Sequence, residues 1–305
     1  MSDSLSVLVC GATGQQGGTL ARRLLERGHS VRALVRRPAS SEARELERLG
    51  AELAEGDFGE PATIENAARG IEAVFVMATP FEAGTEAEVR HGITAADAAK
   101  AAGVSHLVYS SVAGAHQNTG IPHFDSKREV EKHIESLGVP YTIVAPVYFM
   151  ENLLAPWTLP ELEEGRLPMA LPATRPLQQV ALADIAAFTA LVLENREEFA
   201  GRRVDIASDE LTGKELTEVL TRATGREIGY VELPLEQVQE AMGEDGARMF
   251  EWFDRTGYSA DIDALRREHP EVGWHTFEGW ARTQDWNALS HSAVSSQRGY
   301  LDAVR

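Results

Sequence analysis

The feature that most constrains this 305-residue chain is a glycine-rich turn near its start, VLVCGATGQQGG at Val7–Gly18. Its opening run of apolar residues is typical of a buried parallel strand. Gly11, Gly14 and Gly17 follow at a spacing of three, and leucines at helical spacing continue over Thr19–Arg27. Glycines between such a strand and helix let backbone N–H groups approach a pyrophosphate, which binds at the helix N-terminus. The stretch therefore predicts a dinucleotide-binding unit.

Strand and helix patterns alternate regularly from this turn to Pro146, which predicts an α/β fold: a doubly wound, Rossmann-like parallel sheet with helices on both faces. Residues 1–146 are the predicted dinucleotide-binding domain. Residues 147–289 are expected to form a smaller, mostly helical substrate-binding region that begins with a short helix at Val147–Leu154 and returns some strands to the main sheet. Residues 290–305 are expected to be a polar tail.

Composition excludes several classes of function. The formal net charge of −18 opposes binding to nucleic acid. Cys10 is the only cysteine, and the histidines lack ligand spacing, so we expect neither a disulfide nor a metal site. No serine stands in a nucleophile-elbow pattern. Neither a membrane-length apolar run nor a signal peptide is evident, and the expectation is a cytoplasmic protein without a membrane partner.

Cofactor choice is predicted at the ends of successive strands. The second strand, Ser30–Val35, ends at a basic pair that begins with Arg36. An arginine there suits the 2′-phosphate of NADP, whereas a carboxylate suits the ribose of NAD; no acid follows directly, so NADP is favoured and NAD is not excluded. The alternative is that Arg36 belongs to a solvated loop. Asp57 either meets the adenine or shapes a turn. Ala78 and Thr79, after the fourth strand, are small enough for the cofactor to pass closely.

These motifs resemble the atypical, NmrA-like branch of the short-chain dehydrogenase/reductase superfamily. The resemblance rests on GATGQQGG, Arg36, GDF at 56–58, YSSVAG at 109–114, HFDSK at 123–127 and PVYFMENLL at 146–154. It implies an NAD(P)-binding domain with a small C-terminal domain over the nicotinamide end. The cofactor residues that it implies are Gly11, Thr13, Gly14, Gln15, Gln16, Arg36, Asp57, Ala78 and Thr79, with Lys127 reaching the nicotinamide ribose.

The predicted catalytic residues depart from the superfamily's pattern at one position. Standard members carry a proton-donating tyrosine four residues before the lysine, and this sequence has His123 there. His123 and Lys127 share a helix face, and a histidine relays protons near neutral pH; alternatively, His123 caps the helix or lines the pocket. Ser110 and Ser111 either bind the substrate oxygen or satisfy loop backbone. The alternative for Lys127 is a surface salt bridge with Glu131.

Two functions follow from the sequence. The first is an NAD(P)H-dependent oxidoreductase acting on a quinone-like or aromatic small molecule, which the aromatic residues after Pro146 favour. The second is a non-catalytic NADP(H)-sensing regulator that binds a protein partner, because the resembled branch contains both kinds of protein. A homodimer and a regulatory partner are the macromolecular associations left open.

Overall fold

A computed structural model describes residues 4–286, so the predicted tail at 290–305 lies outside the described residues. The described chain forms two compact units. The first contains residues 4–147, 182–206 and 263–273, and the second contains residues 148–181, 207–262 and 274–286. The first unit is therefore discontinuous along the chain, because two later segments pack with its N-terminal part.

Twelve strands and twelve α-helices are assigned within the described residues. The strands are β1 (Ser6–Val9), β2 (Ser30–Val35), β3 (Glu52–Glu55), β4 (Ala73–Val76), β5 (His106–Ser110), β6 (Tyr141–Pro146), β7 (Tyr148–Phe149), β8 (Arg166–Met169), β9 (Pro176–Val180), β10 (Arg202–Ile206), β11 (Asp209–Thr212) and β12 (Gly229–Glu232). The helices are α1 (Gln15–Glu26), α2 (Ser41–Arg48), α3 (Pro61–Ala68), α4 (Thr85–Ala102), α5 (Pro122–Ser136), α6 (Leu159–Glu163), α7 (Leu182–Glu194), α8 (Arg196–Phe199), α9 (Gly213–Thr224), α10 (Leu235–Arg255), α11 (Ile262–Glu268) and α12 (Phe277–Thr283).

The first unit is built on a seven-stranded sheet in the order β10-β6-β5-β4-β1-β2-β3, and every neighbouring pair is parallel. This arrangement confirms the predicted doubly wound α/β fold. The first strand is buried, as its unbroken apolar sequence predicts, with Val7, Leu8 and Val9 fully shielded from solvent. The strand order reverses between β1 and β4. In open α/β sheets, ligands bind outside the carboxyl ends of the strands at such a reversal.

Helices pack closely around this sheet. Helix α1 lies against α7 and begins at Gln15, four residues before the predicted start at Thr19, because the glycine turn leads directly into its first turn. On α4, Gly92 faces Val130 of α5, and a Cβ at this glycine would stand 2.7 Å from a Val130 methyl carbon. The glycine therefore allows α4 and α5 to approach closely.

The second unit contains more strands than its sequence pattern suggests. Strands β11, β9 and β7 form one sheet, and β12 pairs with β8 in another. The short helix predicted at Val147–Leu154 is wrong for its first part: Tyr148–Phe149 pairs with β9, and only Met150–Leu154 is helical, as a 3₁₀ turn. Pairing with a neighbouring strand overrides a local preference in so short a segment. Within residues 4–286, no helix is both long and apolar enough to span a bilayer.

Candidate functional site

The glycine turn has the geometry of an anion-binding site. Gly11 adopts a φ of +69°, which favours glycine, and the Gly14 N–H donates a hydrogen bond to the Gly11 carbonyl oxygen at 2.9 Å. A Cβ on Gly17 would lie 2.3 Å from that oxygen, so no larger residue fits. The first turn of α1 contains no acidic residue, and its N-cap residue, Gly14, has no side chain that could accept hydrogen bonds from the backbone N–H groups. Its backbone N–H groups therefore favour a negatively charged ligand.

The turn is joined to the end of β5. The amide nitrogen Nε2 of Gln16 donates a hydrogen bond to Oγ of Ser110 at 2.7 Å, and both side chains are buried. Thr13 and Gln15, on the same turn, are exposed. The structure therefore brings the glycine turn and the Ser110 position together at one edge of the sheet.

Arg36 is bound by an acid that the sequence reasoning did not consider. Its guanidinium donates to both carboxylate oxygens of Glu82, with Nη1–Oε2 at 2.7 Å and Nη2–Oε1 at 2.9 Å. Glu82 lies in the loop between β4 and α4. The hydrogen bond from Arg36 lowers the pKa of Glu82. The partners are 46 residues apart in the chain, so no local sequence pattern indicates their pairing.

Asp57 shapes a turn, which is one of its two predicted roles. Its Oδ1 accepts a hydrogen bond from the Gly59 N–H at 2.7 Å, ahead of α3. Its charge also acts on Arg36, whose pKa is raised first by the hydrogen bond to Glu82 and least by Asp57. The contact with adenine stays a prediction. The next residue, Phe58, stacks on His91 of α4, with ring centroids 5.5 Å apart.

Lys127 points to the end of β4. Its Nζ donates a hydrogen bond to the Ala78 carbonyl oxygen at 3.0 Å and lies 2.7 Å from Oε1 of Glu88. Glu88, on α4, is fully buried, and the lysine side chain is 13% exposed. The predicted alternative, a salt bridge with Glu131, is wrong, because Glu131 pairs with Arg128 at 2.9 Å. Close packing of α4 on α5 provides the partner instead.

The two serines after Tyr109 face protein groups. Both are buried, and the Ser111 hydroxyl donates a hydrogen bond to the Glu131 carboxylate, while Ser110 accepts one from Gln16. A contact with the substrate oxygen stays a prediction for each. The Tyr109 hydroxyl is fully buried and lacks a hydrogen-bond partner among the described residues. Burial, reinforced by the charges of Glu88 and Glu131, raises its pKa well above the ordinary value. Tyr109 is therefore a poor proton donor.

His123 lies inside the first turn of α5. Ile121 occupies the capping position, so His123 is not the N-cap residue. Its ring is partly buried and stands edge-on to Phe124, with centroids 4.8 Å apart. Lys127 follows one helical turn later on the same face. The histidine therefore neighbours the lysine that reaches the end of β4.

Two other groups bear on the chemistry of the first unit. Cys10 is fully buried, and burial raises the pKa of its thiol to about 12, so it is an inert packing residue. Over the part of the chain that the structure describes, no cluster of three or more histidine, cysteine or acidic side chains is placed to hold a metal ion.

Comparison with known proteins identifies the family of this chain. The model of the NmrA-like family matches residues 3–281. The chain belongs to the NmrA-like family. It is 33% identical over 236 residues to an NAD(P)H azoreductase of Xenophilus azovorans, an alignment that covers 77% of this chain and 80% of the relative.

Solved structures show the same fold. An NADPH-dependent quinone oxidoreductase of Escherichia coli superposes with a TM-score of 0.74 at 24% identity, covering 90% of this NmrA-like chain and 98% of the other. NmrA, a negative transcriptional regulator in complex with NADP, gives a TM-score of 0.74 at 22% identity, covering 96% and 99%. Proteins of this fold thus include a reductase and a regulator, and the fold alone does not choose between them.

Proposed function

We propose that this NmrA-like protein is an NAD(P)H-dependent oxidoreductase that reduces a quinone-like or other aromatic small molecule. The observation that carries the proposal is the convergence of the glycine turn, Ser110 and Lys127 at the carboxyl edge of the sheet, beside the reversal of strand order between β1 and β4. The sequence similarity to an NAD(P)H azoreductase supports the same reaction class.

The residues present fit a dinucleotide. Gly17 lets α1 pack closely on the glycine turn, and the exposed N-terminus of α1 at Gly14 and Gln15 presents backbone N–H groups that suit the pyrophosphate. Arg36 suits the adenosine 2′-phosphate of NADP, and NAD is the second cofactor that the site accepts. Lys127 and the Ala78–Thr79 segment then lie on the nicotinamide side. When bound, the reduced nicotinamide supplies a hydride.

His123 supplies the proton in the proposed reaction. A quinone becomes a hydroquinone by gaining one hydride and one proton: the reduced nicotinamide would supply the hydride, and the His123 imidazole gives the proton to the quinone oxygen that gains negative charge. Solvent water then returns a proton to the His123 imidazole. Lys127 orients the ribose: its charge is already paired with Glu88, so it is a fixed hydrogen-bond donor rather than a mobile ammonium.

Steady-state NADPH consumption with a panel of quinones, aerobically and anaerobically, tests the proposal. Loss of general acid catalysis typically costs about 10²- to 10⁴-fold, so we expect His123→Ala to lower kcat by at least about 10²-fold. The matched control is His133→Ala on the same helix, whose ring pairs with Asp97 at 2.7 Å. We expect this control to keep wild-type turnover. Equal turnover by the His123 variant and the wild type would contradict the proton-donor role.

A specific observation favours the alternative, an NADP(H)-sensing regulator. The superfamily's tyrosine position holds His123, and the adjacent lysine is neutralised by a buried carboxylate. If no quinone or azo compound is reduced, while NADPH changes the affinity for a protein partner, the result contradicts the oxidoreductase and supports the regulator as the function of this protein.

A further inference from the structure

The ion pair between Arg36 and Glu82 joins two side chains of the kinds by which proteins recognise NADP and NAD, respectively. A guanidinium binds a 2′-phosphate, and a carboxylate accepts a hydrogen bond from a 2′-hydroxyl. Here the guanidinium comes from the residue after β2, and the carboxylate comes from the loop after β4. The pair is bidentate, at 2.7 and 2.9 Å, and both side chains are mostly exposed.

This pairing gives the carboxylate a direct effect on phosphate binding. Nη1 and Nη2 of Arg36 both donate to Glu82, and these are nitrogens that a bidentate phosphate contact uses. A 2′-phosphate must therefore displace the carboxylate or share the guanidinium with a second anion. A 2′-hydroxyl carries no charge and meets no such competition.

The loop holds Glu82 in this position. The Thr79 hydroxyl accepts a hydrogen bond from the Phe81 N–H at 3.2 Å, and the Gly84 N–H donates to the Pro80 carbonyl oxygen at 2.7 Å. Gly84 has a φ of +82°, which favours glycine and closes the turn before α4. These bonds order the loop backbone on both sides of Glu82, which lies three residues after Thr79, a predicted cofactor contact.

Other charges act on the pair less directly. The Glu82 carboxylate lies in the field of Asp57, which opposes its charge, and of His91, which favours it. Asp57 is engaged by the Gly59 N–H, and His91 stacks on Phe58. Glu82 is therefore the acid in direct contact with Arg36.

We propose that Glu82 sets the preference between NADPH and NADH. It lowers NADPH affinity by competing with the 2′-phosphate for Arg36, and it supports NADH binding by accepting a hydrogen bond from the 2′-hydroxyl. The NmrA-like protein thereby uses both cofactors. This inference rests on the dinucleotide site of the proposed function.

Glu82→Gln tests the proposal by keeping the side chain's shape while removing its charge. Dissociation constants for NADPH and NADH, measured separately by cofactor fluorescence at fixed ionic strength, give the readout. We expect NADPH affinity to rise about five-fold, the size of one exposed ion pair, and NADH affinity to fall. The control is Glu26→Gln, an equally exposed acid paired with Arg23 near the other end of α1, which we expect to change neither constant.

A second background separates competition from general charge repulsion. In Arg36→Ala, where no guanidinium remains to compete for, we expect Glu82→Gln to leave NADPH affinity nearly unchanged. An equal gain in both backgrounds, or no change in the ratio of the two dissociation constants, would overturn the role of Glu82. Failure of the wild type to bind either nucleotide would instead refute the dinucleotide site itself.

Discussion

At the scale of single residues, the tightest constraint in the first unit is at Gly17. The position is helical, where alanine is ordinarily more favourable than glycine by about 1 kcal/mol. A methyl group here, however, would meet the Gly11 carbonyl oxygen at 2.3 Å and the Cys10 carbonyl oxygen at 2.9 Å. Backbone atoms cannot move aside as a flexible side chain can. The close passage of helix over strand therefore overrides helix propensity.

Gly17→Ala should consequently destabilise the fold despite its better propensity. We expect the free energy of unfolding, measured by urea denaturation, to fall by about 2–3 kcal/mol, as overpacking typically costs. Gly14→Ala is the comparison, because its Cβ would stand 3.3 Å from the same oxygen and its φ of −92° suits any residue. We expect a loss of about 1 kcal/mol or less there. Equal losses would show that the 2.3 Å approach carries no special cost.

At the scale of elements, the contact between α4 and α5 places a buried ion pair under the site. Gly92 and Val130 set the helix spacing, and Glu88 and Lys127 meet at 2.7 Å. The Ser126 hydroxyl donates a hydrogen bond to the other Glu88 oxygen. Removing one partner of such a pair leaves the other charge buried and unpaired, which typically lowers the free energy of unfolding by about 3–5 kcal/mol.

The prediction for these helices is strong coupling between Glu88 and Lys127. Lys127→Met should lower the free energy of unfolding by about 3 kcal/mol, whereas Lys132→Met, at an exposed position on α5, should cost about 0.5 kcal/mol or less. Adding Glu88→Gln to Lys127→Met should recover part of the loss, because no unpaired charge remains. A double-mutant cycle in urea measures this, and additive losses would contradict it.

At the scale of the whole molecule, acid stability depends on a histidine away from the site. His106, at the start of β5, is 2% exposed and lies with Nε2 2.9 Å from the Thr142 hydroxyl. That hydroxyl donates to the Phe199 carbonyl oxygen, so the imidazole is the donor to Thr142. Burial first, and then the charge of Arg196, lower the pKa of His106 to about 4.

The folded protein should therefore lose stability as pH falls from about 6.5 to about 4. In that interval the unfolded chain takes up a proton that the folded chain refuses, and above it this contribution is fully present. His106→Gln keeps a donor for Thr142 without titrating. As the pH falls, we expect the free energy of unfolding of this variant to decrease less steeply than that of the wild type, by up to about 1.4 kcal/mol per pH unit. Parallel pH profiles for the two proteins would exclude His106 as a source of acid lability.

The sequence alone predicts part of the fold and of the candidate site, and long-range packing determines the rest. The parallel sheet, and the meeting of the glycine turn with the end of β5 at its carboxyl edge, were predictable, because each strand, turn and helix is a local pattern and parallel strands end at one edge. The partners Glu82 and Glu88 were not, because their pairing depends on loop and helix packing between distant segments. The strand at Tyr148–Phe149 was not predicted for a related reason: pairing with β9, and not a local sequence pattern, stabilises its extended conformation.

The first unit is also discontinuous along the chain, and this bears on how it is made. Strand β10 forms an outer strand of the sheet, and α7 covers α1, with Glu194 bound to Arg27 at 2.6 Å and to His29 at 2.8 Å. Residues 263–273 complete the unit. At a translation rate of about 5–20 residues per second, the glycine turn leaves the ribosome roughly 10–50 s before those residues. The nucleotide-binding motif is synthesised early, but the unit that supports it is finished only when most of the chain has been translated.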